Sequence, residues 1–285
     1  MPLQSSGAIS LNQIHIEAGG SSQSQASLND GDIRGLIGKS STASNSFSEY
    51  YGAASTSPTA SFIQSFYEDD DGFPNSANTG IPWLNLGTYS GSKLVVACML
   101  LAGGASTTAN TFMKIGQSNM TLAARRREMH PNSTANGGTI WPGMFDVAIY
   151  YLLTTLQGYH QISGNGGSGR SMVHMYSISG YGSSTPYTTD TAINTNNDAT
   201  MGITVNSQYN GVTMGAAMSF DKGGSSNPVH TVSNTDYIKT FSKQSATEHT
   251  SFYDTGTPSG NRTYTYTNNG DTQAQPMTMV TASWK

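Results

Sequence analysis

The sequence has little cysteine, little charge and no long apolar run, and each shortage excludes a class of protein. One residue in 285 is cysteine, Cys98, so a disulfide framework or a cysteine zinc site cannot form within one chain. No apolar run approaches the roughly 20 residues that a membrane-spanning helix needs. The 13 basic and 17 acidic residues give a net charge of −4, which provides no electrostatic footprint for nucleic acid. We therefore expect neither membrane insertion nor nucleic-acid binding.

The composition favours a β-rich globular chain with many loops. Charged residues make up only 11% of the sequence, against about a quarter in typical proteins. The strong helix formers are therefore scarce, whereas Gly, Ser, Thr, Asn and Tyr, which suit turns and strands, are abundant. Because 35% of the residues are hydrophobic and lie in well-formed runs, the chain is not expected to be disordered.

The first fifty-odd residues contain three similar units, spanning 8–20, 26–38 and 45–52. Each unit has a small hydroxyl residue, an apolar residue, polar or acidic residues, a second apolar residue and then glycine. Ser10 with Gln13, and Ser46 with Glu49, have the spacing of a capping box. The glycines suit the left-handed position that ends a helix. The pattern predicts three very short capped helices.

Such helices are too short to be stable alone, and we expect that they cannot bury a core by themselves. They would then pack on the rest of the chain, on another copy or on a different protein. Residues 1–54 are thus either an irregular arm of a globular domain or a docking module. The candidate docking residues are the apolar ones: Ile9, Leu11, Ile14, Leu28, Ile33, Leu36, Phe47, Tyr50 and Tyr51.

Residues 55–60 read as a linker of small residues with one proline, and residues 61–285 as a β domain. Three dense apolar runs, at 94–101, 147–153 and 277–284, predict core strands. Many short strands separated by Gly, Ser and Asn predict a mainly β fold, an antiparallel β-sandwich of jelly-roll-like type.

Weaker strand signals lie at 112–115, 120–124, 171–178, 237–241 and 262–266. Asn210-Gly211 predicts a hairpin joining 201–209 to 212–220. The stretches 180–200, 223–235 and 249–260 read as long loops. His174 is expected to be half-exposed on its strand, and Arg125–Arg127 to lie in an exposed loop or at a strand edge, with an acidic partner as the alternative.

Chemistry-bearing motifs are scarce, which predicts a non-enzymatic protein without a cofactor. The six histidines lack zinc spacing, and the glycine-rich stretch 164–169 lacks the lysine of a phosphate loop. Asp69 and Asp71, before Gly72, resemble the start of a calcium loop, but the EF-hand glutamate is missing. A solvated acidic turn is the favoured interpretation.

Tyrosines in or beside the loops form a second candidate surface: Tyr181, Tyr187, Tyr209 and Tyr253. Tyrosine supplies a large contact area at small entropic cost, and tyrosines beside Asn and Ser are also used by glycan-binding surfaces. Ordinary anchoring of the loops is the competing interpretation.

The N-terminal series GAISLNQI, ASLNDGDIRGLIGKSS and NSFSEYYGAA resembles a module of tailed-bacteriophage virion proteins, marine ones especially. There it precedes tail-fibre-like, collagen-like or β-sandwich segments. The resemblance covers residues 4–54. The remainder is more loosely similar to a β-rich domain of such proteins, through LNLGTYSGSKLVVACMLLAG, MFDVAIYYLLTT, MVHMYSISGY and MTMVTASWK.

The resemblance implies a virion protein assembled in the host cytoplasm, which is also where a chain with one cysteine and no signal peptide is expected to assemble. It implies that residues 1–54 dock on other virion proteins and that the β-sandwich is exposed. A tail fibre or tail-associated appendage is the first expectation, and a capsid decoration or head-fibre protein the second. A lectin-like module binding host glycan is a further alternative. Homo-oligomerisation, as a trimer, is also expected.

Overall fold

A computed structural model describes most of the chain. The described residues are 3–37, 39, 43–53, 58–68, 82–88, 91–103, 112–130, 134–135, 139–140, 143–164, 170–194, 199–208, 210–220, 230–243, 247–257, 260–268 and 277–285. Among them, three short helices come first and nineteen strands follow, so the mainly β fold with a small helical N-terminus is confirmed.

The helices are α1 (Leu11–Glu17), α2 (Gly31–Gly35) and a 3₁₀-helix (Phe47–Tyr50). Both predicted capping boxes are present. The Ser10 backbone N–H donates to Gln13 Oε1 at 2.7 Å, and that of Ser46 donates to Glu49 Oε2 at 2.7 Å. Each capping box joins two residues that are three positions apart. The sequence pattern alone was therefore enough to locate both boxes.

Two five-stranded antiparallel sheets form the centre of the β domain. The first has the order β1 (Thr59–Glu68), β11 (Arg170–Ser179), β3 (Lys93–Gly103), β9 (Gly143–Thr154), β6 (Thr121–His130). The second has the order β12 (Thr188–Asn194), β19 (Met277–Trp284), β14 (Gly211–Phe220), β17 (Thr247–Thr257), β16 (Tyr237–Lys243). Their facing sides enclose the largest apolar core, so the central unit is the predicted antiparallel β-sandwich.

Two smaller antiparallel sheets cover the outer sides of this sandwich. One has the order β2 (Trp83–Asn85), β10 (Tyr159–Gly164), β4 (Met113–Ile115), β5 (Ser118–Asn119) and packs on the first central sheet. The other has the order β13 (Thr200–Ser207), β18 (Gly260–Asn268), β15 (His230–Val232) and packs on the second. The strands β7 (Thr134–Ala135) and β8 (Thr139–Ile140) form a separate pair.

Four layers and three cores explain the continuous apolar runs. In β3, Leu94 and Val96 enter the central core, whereas Val95 and Ala97 enter the core beneath the outer sheet. A strand buried on both faces needs apolar side chains at every position. The expected core strands at 94–101, 147–153 and 277–284 are therefore confirmed, and every residue of β19 is buried.

Several local expectations were wrong. The stretch 249–260 is mainly strand, because β17 lies inside the second central sheet, and part of 180–200 forms β12 at its edge. Asn210-Gly211 does not close a hairpin between its flanking strands. Instead β13 pairs with β18, and β14 pairs with β17 and β19. Hydrogen bonds to distant strands outweigh the local turn preference, although Asn210 keeps its positive φ of 53°.

His174 is fully buried rather than half-exposed, because the second central sheet covers its face of β11. Arg125–Arg127 lie on β6, which is an edge strand of the first central sheet. This agrees with the expectation of a strand edge. Arg125 and Arg127 both bind the buried carboxylate of Asp146, with Nε and Nη2 distances to its oxygens of 2.5 to 3.1 Å. Arg126 Nη2 lies 3.1 Å from Glu128 Oε2, so all three arginines have an acidic partner within the chain.

Candidate functional site

The N-terminal helices enclose a small core of their own. Ile14, Ile33 and Tyr50, one from each helical unit, are completely buried, and Ala18 is nearly so. Half-buried apolar residues pack around them. The expectation that these helices cannot bury a core by themselves was therefore wrong: three helices, each supplying one large side chain, achieve together what none achieves alone.

Hydrogen bonds close this region into one unit. The Leu3 backbone N–H donates to Ala53 O at 2.8 Å, which joins the two ends of the region. Asn45 Nδ2 donates to Leu28 O at 2.7 Å and to Tyr50 Oη at 2.8 Å. The second and third units are thereby tied to each other around the buried tyrosine.

The nine candidate docking residues fall into three groups. Ile14, Ile33 and Tyr50 belong to the module core and present no surface to a partner. A second group is half-buried against that core: Ile9, Leu11, Leu28 and Leu36. Only Phe47 and Tyr51 stay exposed, at 40% and 38%. Ile16, a further apolar residue of the first unit, is also 40% exposed, because helical periodicity turns it away from Ile14.

A cleft of ≈ 740 Å³ lies between this module and one end of the β domain. Asp32 and Leu36 line its module side, and Tyr187 and the C-terminal Lys285 line the other. The Lys285 carbonyl accepts backbone hydrogen bonds from the loop ahead of β12, including one of 3.0 Å from Ser183 N. The module therefore sits beside the chain end and the β12 edge of the second central sheet.

The three candidate recognition tyrosines that the structure describes do not form one surface. Tyr187 is exposed and precedes the edge strand β12, whereas Tyr253 lies on β17 near the opposite edge. Tyr253 stacks on Tyr237, with ring centroids 5.0 Å apart, and packs against the central core. Tyr181 is half-buried against the same core, and Tyr209 lies outside the described residues. Tyr181 and Tyr253 therefore contribute to the packing of the central core.

A buried polar cluster interrupts the central core between β11 and β17. Ser251 Oγ hydrogen-bonds both His174 Nδ1 and Tyr176 Oη, the latter at 2.5 Å. Burial, with a smaller contribution from His249 and Lys239, lowers the pKa of His174 from 6.5 to about 3. Burial also raises the pKa of Tyr176 well above 10. The serine and histidine are both fully buried, so in this conformation the pair links two sheets and contacts no solute.

A second buried polar group lies under the three-stranded outer sheet. Asp254 Oδ2 accepts hydrogen bonds from Tyr264 Oη at 2.8 Å and pairs with Arg262 Nε at 2.5 Å. Burial raises the pKa of Asp254, although these two partners act against the shift. The cluster joins β17 to β18 and therefore couples the outer sheet to the sandwich.

Two widely exposed aromatic residues, Trp83 on β2 and Tyr159 on β10, escaped the sequence reasoning. The strand β2 has only three residues, which is too short for alternation to identify it. The only available signal was a tryptophan between a proline and Leu84-Asn85.

The candidate calcium ligands Asp69 and Asp71 lie outside the described residues. Within the part of the chain that the structure describes, no group of three or more His, Cys, Asp or Glu side chains could hold a metal ion. In that same part, no helix has both the length and the apolar character needed to cross a membrane.

Comparisons with protein-family models, curated proteins and solved structures find no match to this chain.

Proposed function

We propose that this chain is a non-enzymatic structural component of a bacteriophage particle. Residues 1–54 dock on other virion proteins, and the β domain is exposed for contact with the host surface or with neighbours. The observation that carries the proposal is the N-terminal module, which has its own closed core and still exposes Ile16, Phe47 and Tyr51. The likeness to phage virion modules points the same way.

Two of the exposed side chains, Ile16 and Phe47, are not part of the module core, whereas the Tyr51 hydroxyl donates a hydrogen bond to Gly7 O within the module. The core is already filled by Ile14, Ile33 and Tyr50, so Ile16 and Phe47 keep apolar surface in water without contributing to it. Burying such surface against a partner yields about 25 cal/mol per Å². A folded module with uncommitted apolar side chains is therefore suited to docking.

The β domain has features suited to an external body. Its three cores are linked through shared strands, and buried polar clusters such as His174–Ser251 tie its layers together. We place the protein at a tail fibre or tail-associated appendage, as a homo-oligomer and specifically a trimer. A capsid decoration or head-fibre protein is the second candidate, favoured by the same motif.

The decisive experiment deletes residues 2–54 in the parent phage. The truncated protein should remain a folded β domain by circular dichroism and be missing from purified particles by quantitative mass spectrometry. Normal copy number in the particles refutes docking through the module. Immunogold electron microscopy of intact particles separates the tail from the head location, and sedimentation equilibrium of the pure protein tests the trimer.

Point variants then separate docking from folding. Ile16→Ser combined with Phe47→Ser should lower incorporation at least tenfold while the melting temperature stays unchanged. Gln25→Ala, an exposed polar position of the same module, should change neither. Incorporation of the double variant at the level of Gln25→Ala contradicts the assignment of these side chains.

A further inference from the structure

The outer face of the sheet β2-β10-β4-β5 carries the two most exposed large apolar side chains that the structure describes. Tyr159 is 67% exposed and Trp83 is 54% exposed. They lie on adjacent paired strands, β10 and β2. Neither has a ring contact or a side-chain hydrogen bond with the described residues. Exposing two such rings side by side leaves a large amphipathic surface without a partner.

The register of the sheet fixes this exposure. Leu84, between Trp83 and Asn85, is fully buried under the sheet, and so is Ile162 on β10. Because side chains alternate across a strand, these anchors turn Trp83 and Tyr159 to the solvent side. The rings therefore stand on a rigid sheet rather than on a loop.

Each ring lies directly opposite an amide side chain. Tyr159 pairs with Asn85, and Trp83 pairs with Gln161. Directly opposite residues have Cβ atoms about 5 Å apart, and diagonal ones lie within reach of aromatic side chains. Rings and amides thus alternate over two strands, and all four residues are exposed.

One of these amides is already oriented. Asn85 Oδ1 accepts a hydrogen bond of 2.9 Å from the backbone N–H of Gly87. Gly87 has a φ of 70°, the left-handed region that favours glycine. The turn after β2 therefore holds the Asn85 side chain, and its Nδ2 group is left to donate to a ligand.

We infer that this face is a binding site for a neutral oligosaccharide. A pyranose has an apolar C–H face that stacks on an aromatic ring, and hydroxyl groups around its rim that exchange hydrogen bonds with amides. Trp83 and Tyr159 supply two stacking positions, and Asn85 and Gln161 supply donors and acceptors beside them. The inference is independent of attachment through residues 1–54.

The charge and the pattern of the face disfavour other partners. Among its described outward residues, Lys114 on β4 is the one cation, and its Nζ lies 5.3 Å from the ring centre of Phe112. Nucleic acid needs several phosphate contacts. A protein interface has an apolar centre with a polar rim, whereas here the amides stand between the rings.

The test uses the full-length protein and three neutral probes, cellohexaose, mannohexaose and chitohexaose, in titrations followed by tryptophan fluorescence and calorimetry. An acidic galacturonate hexamer and a thymidine oligonucleotide are run in parallel. We expect saturable binding of at least one neutral probe, weakened at least tenfold in Trp83→Ala and in Tyr159→Ala. Leu153→Ala, which removes a 46% exposed apolar side chain from a different sheet, should bind as the wild type does.

Three outcomes overturn the inference: no binding of any neutral probe, binding only of the acidic or nucleic probe, or binding unchanged in Trp83→Ala.

Since Trp83 is exposed, its replacement should leave the melting temperature unchanged, and the melt is measured for each variant. Asn85→Ala is the second variant, expected to weaken binding without removing a ring. Trp83→Ala should still enter phage particles, so failure here and failure of the docking proposal are distinguishable.

Discussion

His174 should make the β domain sensitive to mild acid. Its ring is fully buried between the two central sheets, with Nδ1 bonded to Ser251 Oγ. Its surroundings include His249 on β17 and Lys239 on β16, both of which disfavour a further positive charge. Burial is the larger cause, and together these effects lower the pKa of His174 from 6.5 to about 3.

The sign and size of the effect follow from proton linkage. Between pH 6.5 and pH 3 the unfolded chain binds a proton at His174 that the folded chain does not bind. The free energy of unfolding therefore keeps its full value above pH 6.5 and falls as the pH is lowered. At 1.36 kcal/mol per pKa unit, the loss down to about pH 4 is on the order of 3 kcal/mol. That is a large part of the ~5–15 kcal/mol by which proteins are stable.

The assay is urea unfolding of the wild type, His174→Gln and His160→Gln near pH 7 and near pH 4. His160 is the matched control because its ring bonds Gln157 O near the surface rather than lying between sheets. The wild type and His160→Gln should lose about 3 kcal/mol more than His174→Gln over this range. A parallel loss in all three proteins refutes the reasoning.

A second readout does not depend on the stability of the variant. In an NMR titration of the wild type, the His174 ring should stay neutral while the protein remains folded near pH 4. A midpoint for this ring near 6.5 shows that it is not buried as the structure has it.

Three further predictions concern packing and charge. Gly215→Ala should destabilise by about 1–3 kcal/mol, because a Cβ there lies 2.0 Å from the Phe252 ring. Asp146→Asn should lower the free energy of unfolding by about 3 kcal/mol, since it removes the buried anion of two guanidinium groups. The Cys98 thiol, whose pKa is raised by burial, should not react with a thiol reagent until the protein unfolds.

Each of these has a matched control. Gly202→Ala should be near neutral in the same urea assay, because its Cβ would meet only Thr263 Cγ2 at 3.9 Å. Glu128→Gln breaks a partly exposed pair with Arg126 on the same strand and should change stability by less than about 1 kcal/mol. Equal effects of Gly215→Ala and Gly202→Ala, or of Asp146→Asn and Glu128→Gln, contradict the packing and charge arguments. Rapid labelling of Cys98 in the native protein contradicts its burial.

The sequence by itself determined the features that depend on neighbouring residues. The capping boxes at Ser10 and Ser46 were readable because both partners lie within one helical turn. The strands β3, β9 and β19 were readable because burial on both faces leaves continuous apolar runs. Composition alone was enough for the mainly β class, since it is poor in strong helix formers and rich in turn residues.

Only the tertiary structure decided which strands pair and which faces are covered. Sheet pairing joins residues far apart in sequence, so β13 pairs with β18 rather than across Asn210-Gly211, and β17 forms in a stretch with no clear apolar alternation. The packing of the second central sheet over β11 buries His174, whereas Trp83 faces solvent on an outer sheet, although both lie in strands. The short helices likewise had to meet before Ile14, Ile33 and Tyr50 could form a core, because burial depends on what lies opposite a side chain.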